Sequence, residues 1–327
     1  MHIVIIQWHS SVTSALDNKN MEDTGFVAHG FVIIDAVPKN ELQTGSRIYE
    51  NIQDYINQSG TVLFSKRIRC NTSSDLIKAL DEVLDSLENG GQIPFIHLDS
   101  HGDRDNIRLP NGSYWGWDVI FDQFRKINIA SRNNLFVASS ACESAYAYNA
   151  ADHITKECPV LGLFAPAKTV SAGEVQDGFA AFYKKLILER NFKKAYNAFE
   201  GATNSESFVK IFSECLFVKA AFNYLTKHCM GAGRRRGQEE LLTIVKQKTN
   251  IPLNKATRKK VKEFKKSQAV NLCRFHKKFM MIDKYPENAK RFAFDAVKFE
   301  EAVRSGIINN DYTILKFLAG LKPEPLH

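Results

Sequence analysis

Two short segments of the sequence place a histidine and a cysteine where they could act together in catalysis. In the first, a run typical of a buried strand is followed by His101 and Gly102; in the second, a similar run is followed by small residues and Cys142. A thiol is mostly protonated at neutral pH and reacts as its thiolate, so a nearby histidine can activate it as a base. The same histidine can later protonate a leaving amine. These residues predict a cysteine nucleophile paired with a histidine base.

The neighbours of this pair indicate how a reacting carbonyl group would be held. Gly102 has no Cβ, so its backbone N–H can approach a substrate closely. Together with the N–H of Cys142, it would donate two hydrogen bonds to the oxyanion of a tetrahedral intermediate. A helix expected from Ser144 would place its N-terminal dipole near the thiolate and stabilise it.

The elements expected around the two segments explain how residues 41 positions apart in the sequence would meet. Strands are expected at Ile3–Trp8, Phe26–Ile34, Thr61–Arg69, Pro94–Leu98, Leu135–Ala138 and Val160–Phe164, and helices at Ser73–Glu88, Trp117–Arg125, Ser144–His153 and Val175–Arg190. This alternation predicts an α/β fold, a mostly parallel sheet covered by helices on both faces. In such sheets ligands bind beyond the carboxyl ends of the strands, where both segments would lie.

The motifs Ser-His-Gly and Ser-Ala-Cys-x-Ser, each following a strand, resemble those of the caspase-like cysteine peptidases, the clan of caspases, separase and gingipain. The CHAT branch is the most similar. The resemblance covers roughly residues 1–200, because Val160–Val170 and Gly178–Leu186 are similar to the family's next strand and helix. It implies a three-layer caspase-like sandwich and a cysteine endopeptidase that needs no metal or organic cofactor.

The same resemblance assigns roles to individual residues. It makes His101 the base and Cys142 the nucleophile, with Gly102 and Cys142 as the oxyanion donors. Ser140, two residues before the cysteine, would line the substrate pocket, and Asp99 would orient a histidine or shape that pocket. The partner implied is a protein substrate.

Two departures from classical caspases concern activation. The chain lacks the Gln-Ala-Cys-Arg-Gly sequence, and only Glu143–Pro159 separates the cysteine from the next strand, so there is no long linker to cut. We therefore expect activation by a regulatory protein partner or another domain. Relatives of the CHAT type often act in immune or cell-death systems, which implies a role such as antiviral defence.

The histidine segment allows a second interpretation as a metal-dependent hydrolase. Asp99, His101 and Asp103 alternate along one segment and resemble the D-x-H-x-D metal motif of arginase-like enzymes. Such residues can converge on a hard divalent ion. The further Gly-Gly-Asp-His and D-x-D segments of those enzymes are not found in the sequence, and this alternative gives Cys142 no role.

The C-terminal part of the chain differs in pattern and charge. Strand signals fade after about Ser205, and helices are expected at Phe208–His228, Gln238–Lys248, Ala256–Phe279, Asp295–Ser305 and Asp311–Leu321, with a break at Gly231–Gly237. Twenty Lys or Arg and five Asp or Glu lie between Lys219 and Arg291, an excess of 15 that leaves the remainder at −7 within a total of +8. This asymmetry predicts a peptidase domain at 1–205 and a helical basic region at 206–327, with the boundary between 205 and 232.

The segment from Lys255 to Lys278 is the most basic and is interleaved with phenylalanines. A basic helix can neutralise phosphates, so nucleic-acid binding is one interpretation, possible also for a catalytically silent binding module. The other interpretations are the solvated face of an amphipathic helix and a surface for an acidic protein.

Cysteine spacing and hydropathy indicate the compartment. The six cysteines form no C-x-x-C pair, which argues against a zinc ribbon, and no disulfide framework is expected. The apolar run Ile3–Trp8 is too short for a secretory segment, and no stretch approaches the roughly 20 apolar residues of a membrane helix. We therefore expect a cytoplasmic protein that does not bind membranes.

Overall fold

The computed structural model describes residues 27–151, 154–203, 207–248, 251–264 and 268–309. These described residues divide into two compact units, one containing 27–151, 157–203 and 207–213, the other containing 154–156 and those from Glu214 to Asn309. The predicted domains at 1–205 and 206–327 stay a prediction. The strand expected at Ile3–Trp8 and the helix expected at Asp311–Leu321 lie outside the described residues.

The first unit is an α/β sandwich. Its strands are β1 (Gly30–Ala36), β2 (Phe64–Arg69), β3 (Pro94–Gly102), β4 (Asn106–Arg108), β5 (Tyr114–Gly116), β6 (Phe136–Ser139), β7 (Gly162–Pro166) and β8 (Phe208–Phe212). Its helices are α1 (Thr44–Ser59), α2 (Ser73–Glu88), α3 (Trp117–Ala130), α4 (Ala172–Glu189) and α5 (Phe192–Ala202), with a 3₁₀ helix at Ser144–Ala151. The predicted alternation of strands and helices is confirmed.

The sheet is mixed but mostly parallel. Its strand order in the described residues is β2-β1-β3-β6-β7-β8, with parallel pairing from β2 to β7 and antiparallel pairing of β8 with β7. The hairpin of β4 and β5 continues antiparallel from the end of β3. The predicted α/β fold with helices on both faces is thus confirmed, and β3 and β6 are adjacent at its centre.

One face of the sheet carries an aromatic core against α1, α4 and α5. Phe95 of β3 stacks on Phe136 of β6 with 5.0 Å between ring centroids, and Phe164 of β7 packs edge-on against Phe199 of α5 at 4.7 Å. In register, His97 pairs with Ile33 of β1, so the alternating residues His97, Asp99 and His101 share this face. The core therefore extends directly beneath the carboxyl ends of the central strands.

Helix α1 was not predicted, because its sequence is largely polar. It turns only Thr44, Gly45, Ile48 and Ile52 fully inward and ends at Gly60, which adopts the left-handed conformation. Its first residues nevertheless cover the ends of β1 and β3: a Cβ on Gly45 would lie 2.9 Å from Asp99 Oδ2.

The second unit is helical in its described residues. Its elements are α6 (Ser213–Tyr224), a π-helical turn (Leu225–Cys229), α7 (Gly231–Lys248), α8 (Lys255–Phe264), α9 (Ala269–Phe279), α10 (Asn288–Arg291) and α11 (Ala296–Arg304). The helix expected at Phe208–His228 was wrong in its first part, since Phe208–Phe212 forms edge strand β8. The single helix expected at Ala256–Phe279 is in fact α8 and α9. Helix α9 begins where the backbone N–H of Gln268 donates to both carboxylate oxygens of Glu300, at 2.9 and 2.7 Å.

The break expected at Gly231–Gly237 was also wrong, because α7 runs through these glycines. A Cβ on Gly233 would lie 2.1 Å from the carbonyl oxygen of Lys227, and one on Gly237 2.4 Å from that of His228. The glycines therefore let α7 pack its backbone directly against the preceding π-helical turn, a tertiary requirement that outweighs their low helix propensity.

Candidate active site

The two predicted segments lie side by side at the carboxyl edge of the sheet. Strand β3 ends with His101 and Gly102, and Cys142 follows the neighbouring parallel strand β6 after two residues. The ladder continues past β6, because the N–H of Ser140 donates to the carbonyl oxygen of Leu98 at 2.9 Å. A Cβ built on Gly102 would lie 2.9 Å from the Cβ of Ala141 and 3.4 Å from the carbonyl oxygen of Cys142. A larger residue at position 102 would therefore require Ala141 to shift.

The N–H of Gly102 is directed away from the β4 hairpin. In an antiparallel pair, residue pairs that exchange hydrogen bonds alternate with pairs that exchange none. The N–H of Asp103 donates to the carbonyl oxygen of Asn106 at 2.9 Å, so the next pair, Gly102 with Ile107, exchanges none. The Gly102 N–H thus points to the opposite side of β3.

Cys142 is half-buried and lies against the segment that follows β7. The N–H of Val170 is 3.5 Å from its Sγ, in the position of a hydrogen-bond donor. The same Sγ lies 3.8 Å from the carbonyl oxygen of Val170. Of the six cysteines, Cys142 and Cys215 are half-buried and Cys273 is exposed, whereas the other three are buried.

The residue after Cys142 has an unusual backbone conformation. Glu143 adopts a φ of 55°, in the left-handed region that costs a non-glycine residue of order 1–3 kcal/mol. Its N–H donates to the carbonyl oxygen of Lys168 at 3.3 Å, and its carboxylate accepts from Arg104 Nε at 3.0 Å. These bonds hold the sharp turn that follows Cys142. The predicted helix Ser144–His153 is a 3₁₀ helix over Ser144–Ala151, which offers a weaker dipole than an α-helix.

His101 is bonded to a residue that was not predicted. Its Nε2 is 2.6 Å from Oε2 of Glu41, which lies in the loop between β1 and α1. Both side chains are about half exposed, at 46% and 43%. A lone glutamate in a polar loop, 60 residues from the histidine, gave no signal in the sequence.

A buried hydrogen-bonded chain runs beneath His101 and Cys142. His97 Nδ1 lies 2.9 Å from the Tyr183 hydroxyl, and His97 Nε2 lies 2.9 Å from Ser140 Oγ. Ser140 also bonds Asp99, which accepts a second bond from the Thr44 hydroxyl at 2.6 Å. Because an ionised carboxylate only accepts, the chain has one direction: Tyr183 to His97, His97 to Ser140, and Ser140 to Asp99.

Burial sets the protonation of this chain. It lowers the pKa of His97 from 6.5 to about 3, so His97 is neutral at physiological pH. It raises the pKa of Asp99 from 3.8 to about 6, although bonds from Thr44 and Ser140 act in the opposite direction. His97 is therefore a supporting residue that connects α4 to the loop before Cys142.

Ser140 and Asp99, the two predicted pocket residues, lie just below the surface, with 6% and 2% of their area exposed. Their hydroxyl and carboxylate groups are engaged with each other and with His97 and Thr44. They form a polar floor beneath His101 and Cys142, and their contact with a substrate stays a prediction.

The three residues of the metal alternative are bonded to different partners. The buried carboxylate of Asp99 accepts a hydrogen bond from the Thr44 hydroxyl, and His101 is bonded to Glu41. The carboxylate of Asp103 accepts from the N–H groups of residues 105 and 106, each at 2.8 Å. Within the described ranges, no group of three His, Cys, Asp or Glu side chains is arranged to hold a metal ion.

The sequence was compared with protein-family models and with curated proteins. No protein-family model matches the sequence, and no curated protein matches it significantly. In the part of the chain that the structure describes, no helix is both long enough and apolar enough to span a membrane.

Proposed function

We propose that this chain is a cysteine endopeptidase of the caspase-like type, with Cys142 as nucleophile and His101 as general base and acid. The observation that carries the proposal is the close approach of Gly102 to Ala141 and Cys142, which sets the histidine and cysteine segments side by side at the carboxyl edge of the sheet. Supporting it are the Val170 N–H beside Sγ and the sharp turn at Glu143.

The proposed reaction proceeds through a thioester. His101 takes the proton of the Cys142 thiol, and the thiolate attacks the carbonyl carbon of the scissile peptide bond. The N–H groups of Gly102 and Cys142 hold the resulting oxyanion. When the intermediate collapses, the C–N bond breaks and His101 protonates the leaving amine. His101 then takes a proton from water, whose oxygen attacks the thioester, and the departing thiolate regains a proton as the acid product leaves.

The proposal includes a setting and partners. The six cysteines are free thiols, which persist in a reducing compartment and so fit a cytoplasmic location. The substrate is a protein, with Ser140 and Asp99 below its binding pocket. The short segment between Cys142 and β7 leaves little to cut, so we expect a regulatory protein to switch the enzyme on. A role in antiviral defence or cell death rests on the resemblance to the CHAT branch alone.

A mixed peptide library tests the activity. Wild type should cleave library members, whereas Cys142→Ala and His101→Ala should not. Cys273→Ala is the matched control, because Cys273 is exposed and lies outside the first unit. Equal cleavage by wild type and Cys142→Ala would contradict the proposal, as would activity abolished by a chelator and untouched by a thiol alkylator.

Helix α8 favours a second function, nucleic-acid binding by the second unit. Val261 is buried and Thr257 half-buried, while the five cationic side chains all face solvent. These are Lys255, Arg258, Lys259, Lys260 and Lys262. Lys259 and Lys262 can contact phosphates without losing a partner within the described residues. Such a face binds phosphates in a salt-dependent way and independently of sequence.

Salt-dependent binding to a fluorescent DNA duplex tests this function. Lys259→Gln/Lys262→Gln should weaken binding. It should also make the negative slope of log K against log salt shallower by about 2, one for each lost phosphate contact. Lys184→Gln/Lys193→Gln removes the same charge from the first unit and should leave the slope unchanged. If both double variants weaken binding equally, net charge explains it; if anionic vesicles bind and the duplex does not, the surface recognises membranes.

A further inference from the structure

The bond between His101 and Glu41 fixes which nitrogen of His101 carries a proton. Nε2 lies 2.6 Å from Glu41 Oε2. An ionised carboxylate can only accept a hydrogen bond, so Nε2 must donate. In the neutral ring the other nitrogen, Nδ1, is then an acceptor. The contact therefore selects one tautomer of the histidine.

Glu41 is itself held in place by its loop. The side-chain amide of Gln43 donates to the carbonyl oxygens of Pro38, at 2.7 Å, and of Glu41, at 2.9 Å. The oxygen of that amide accepts from Arg69 Nη1 at 3.0 Å, and the same nitrogen bonds the buried carboxylate of Asp35 at 2.8 Å. The backbone of Glu41 is thus tied through two side chains to a buried charge at the end of β1.

We propose that Glu41 is a positioning residue for His101: it holds the ring in the Nε2–H tautomer, so that Nδ1 exchanges the proton with Cys142. This inference rests on the proposed peptidase function for its kinetic consequence. The geometry has the order of a catalytic triad, in which a third group orients the base. An ordinary surface ion pair would not engage the catalytic histidine from an anchored loop.

Exposure limits the size of the effect. Both side chains are nearly half exposed, so solvent screens their interaction. Loss of a buried carboxylate from a triad costs about 10⁴ in turnover, whereas loss of an exposed pair costs up to about fivefold. We therefore expect Glu41→Gln to lower kcat about fivefold, with KM little changed. The amide can donate to Nε2, which would allow the opposite tautomer.

Nitrogen NMR of the histidine rings tests the inference alongside kinetics. With ¹⁵N-histidine labelling, the signals of His101 are assigned by their loss in His101→Asn. Wild type should have protonated Nε2 and unprotonated Nδ1 in the neutral ring, and Glu41→Gln should show a mixture or the reverse. Glu50→Gln is the matched control, because Glu50 is an exposed acid on α1 bonded only to Ser46 among the described residues; it should change neither readout.

The outcomes separate this inference from the proposed function. If wild type cleaves peptides and Glu41→Gln keeps both wild-type kcat and the wild-type tautomer, the role of Glu41 is overturned and the peptidase stands. If wild type cleaves nothing, the peptidase fails, and the tautomer still decides whether Glu41 orients His101. A loss of kcat of about fivefold with an altered tautomer supports both the peptidase function and the role of Glu41.

Discussion

Removing the hydroxyl of Tyr183 is a sharp test of the buried hydrogen-bonded chain below His101 and Cys142. Tyr183 is fully buried, and burial raises its pKa well above 10, so its hydroxyl remains a donor. It bonds Nδ1 of His97 at 2.9 Å, and His97 is only 1% exposed. Tyr183→Phe would preserve the edge-on ring contacts with Phe31, at 5.5 Å, and Phe95, at 5.8 Å. The variant therefore removes one hydrogen bond and leaves the packing.

The expected loss in the free energy of unfolding comes from Nδ1 of His97, which the variant leaves without a hydrogen-bond donor. A buried acceptor without a donor costs about 1–3 kcal/mol, and water has little access to His97. Urea unfolding followed by tryptophan fluorescence at pH 8 would measure it, because Asp99, whose pKa is about 6, is then an ionised acceptor. Tyr49→Phe is the control: its hydroxyl accepts from Gln53 at an exposed site, so its loss should cost under about 0.5 kcal/mol. Equal stability of the two variants would refute the buried hydrogen bond between Tyr183 and His97.

Three further predictions follow from the same region. Gly102→Ala should lower kcat at least about 100-fold, because its Cβ would lie 2.9 Å from that of Ala141 and displace an oxyanion donor, whereas Gly201→Ala, with open space, should not. Burial raises the pKa of Asp99 from 3.8 to about 6, so its contribution to the free energy of unfolding is present below pH 3.8 and is lost as pH rises through about 6. Asp99→Asn should remove this pH-dependent loss in urea titrations. Burial lowers the pKa of His97 from 6.5 to about 3, so its contribution to the free energy of unfolding is present above pH 6.5 and is lost as pH falls toward about 3. In the same urea titrations, His97→Gln should not show this loss.

The elements that position the site were largely predictable, because local signals and tertiary packing agree there. Helix α2 begins and ends as expected at Ser73 and Glu88, with a capping box between Thr72 and Asp75 and apolar residues on one face. The buried strands β3 and β6 have continuous apolar runs, and parallel pairing brings their carboxyl ends together. The adjacency of the histidine and cysteine segments follows from those two facts.

Other features depended on contacts that the sequence does not encode locally. Glu41 meets His101 only because the loop from β1 to α1 folds over the end of β3, held by Gln43 and Arg69. Strand β8 has apolar residues that suit a helix equally well, and its pairing with β7 decides the outcome. The glycines of α7 predict a break from the sequence alone. The close approach of Gly233 to the carbonyl oxygen of Lys227 explains why glycine occupies this helix.

Covalent capture by a peptidyl acyloxymethyl ketone, mapped to individual cysteines by mass spectrometry, tests the central claim most directly. A catalytic pair predicts rapid labelling of Cys142 in wild type and much slower labelling in His101→Ala. Cys273, which is exposed and not part of the site, serves as the internal reference and should react equally in both proteins. If Cys142 reacts no faster than Cys273, and at the same rate with and without His101, the two residues do not form a catalytic pair.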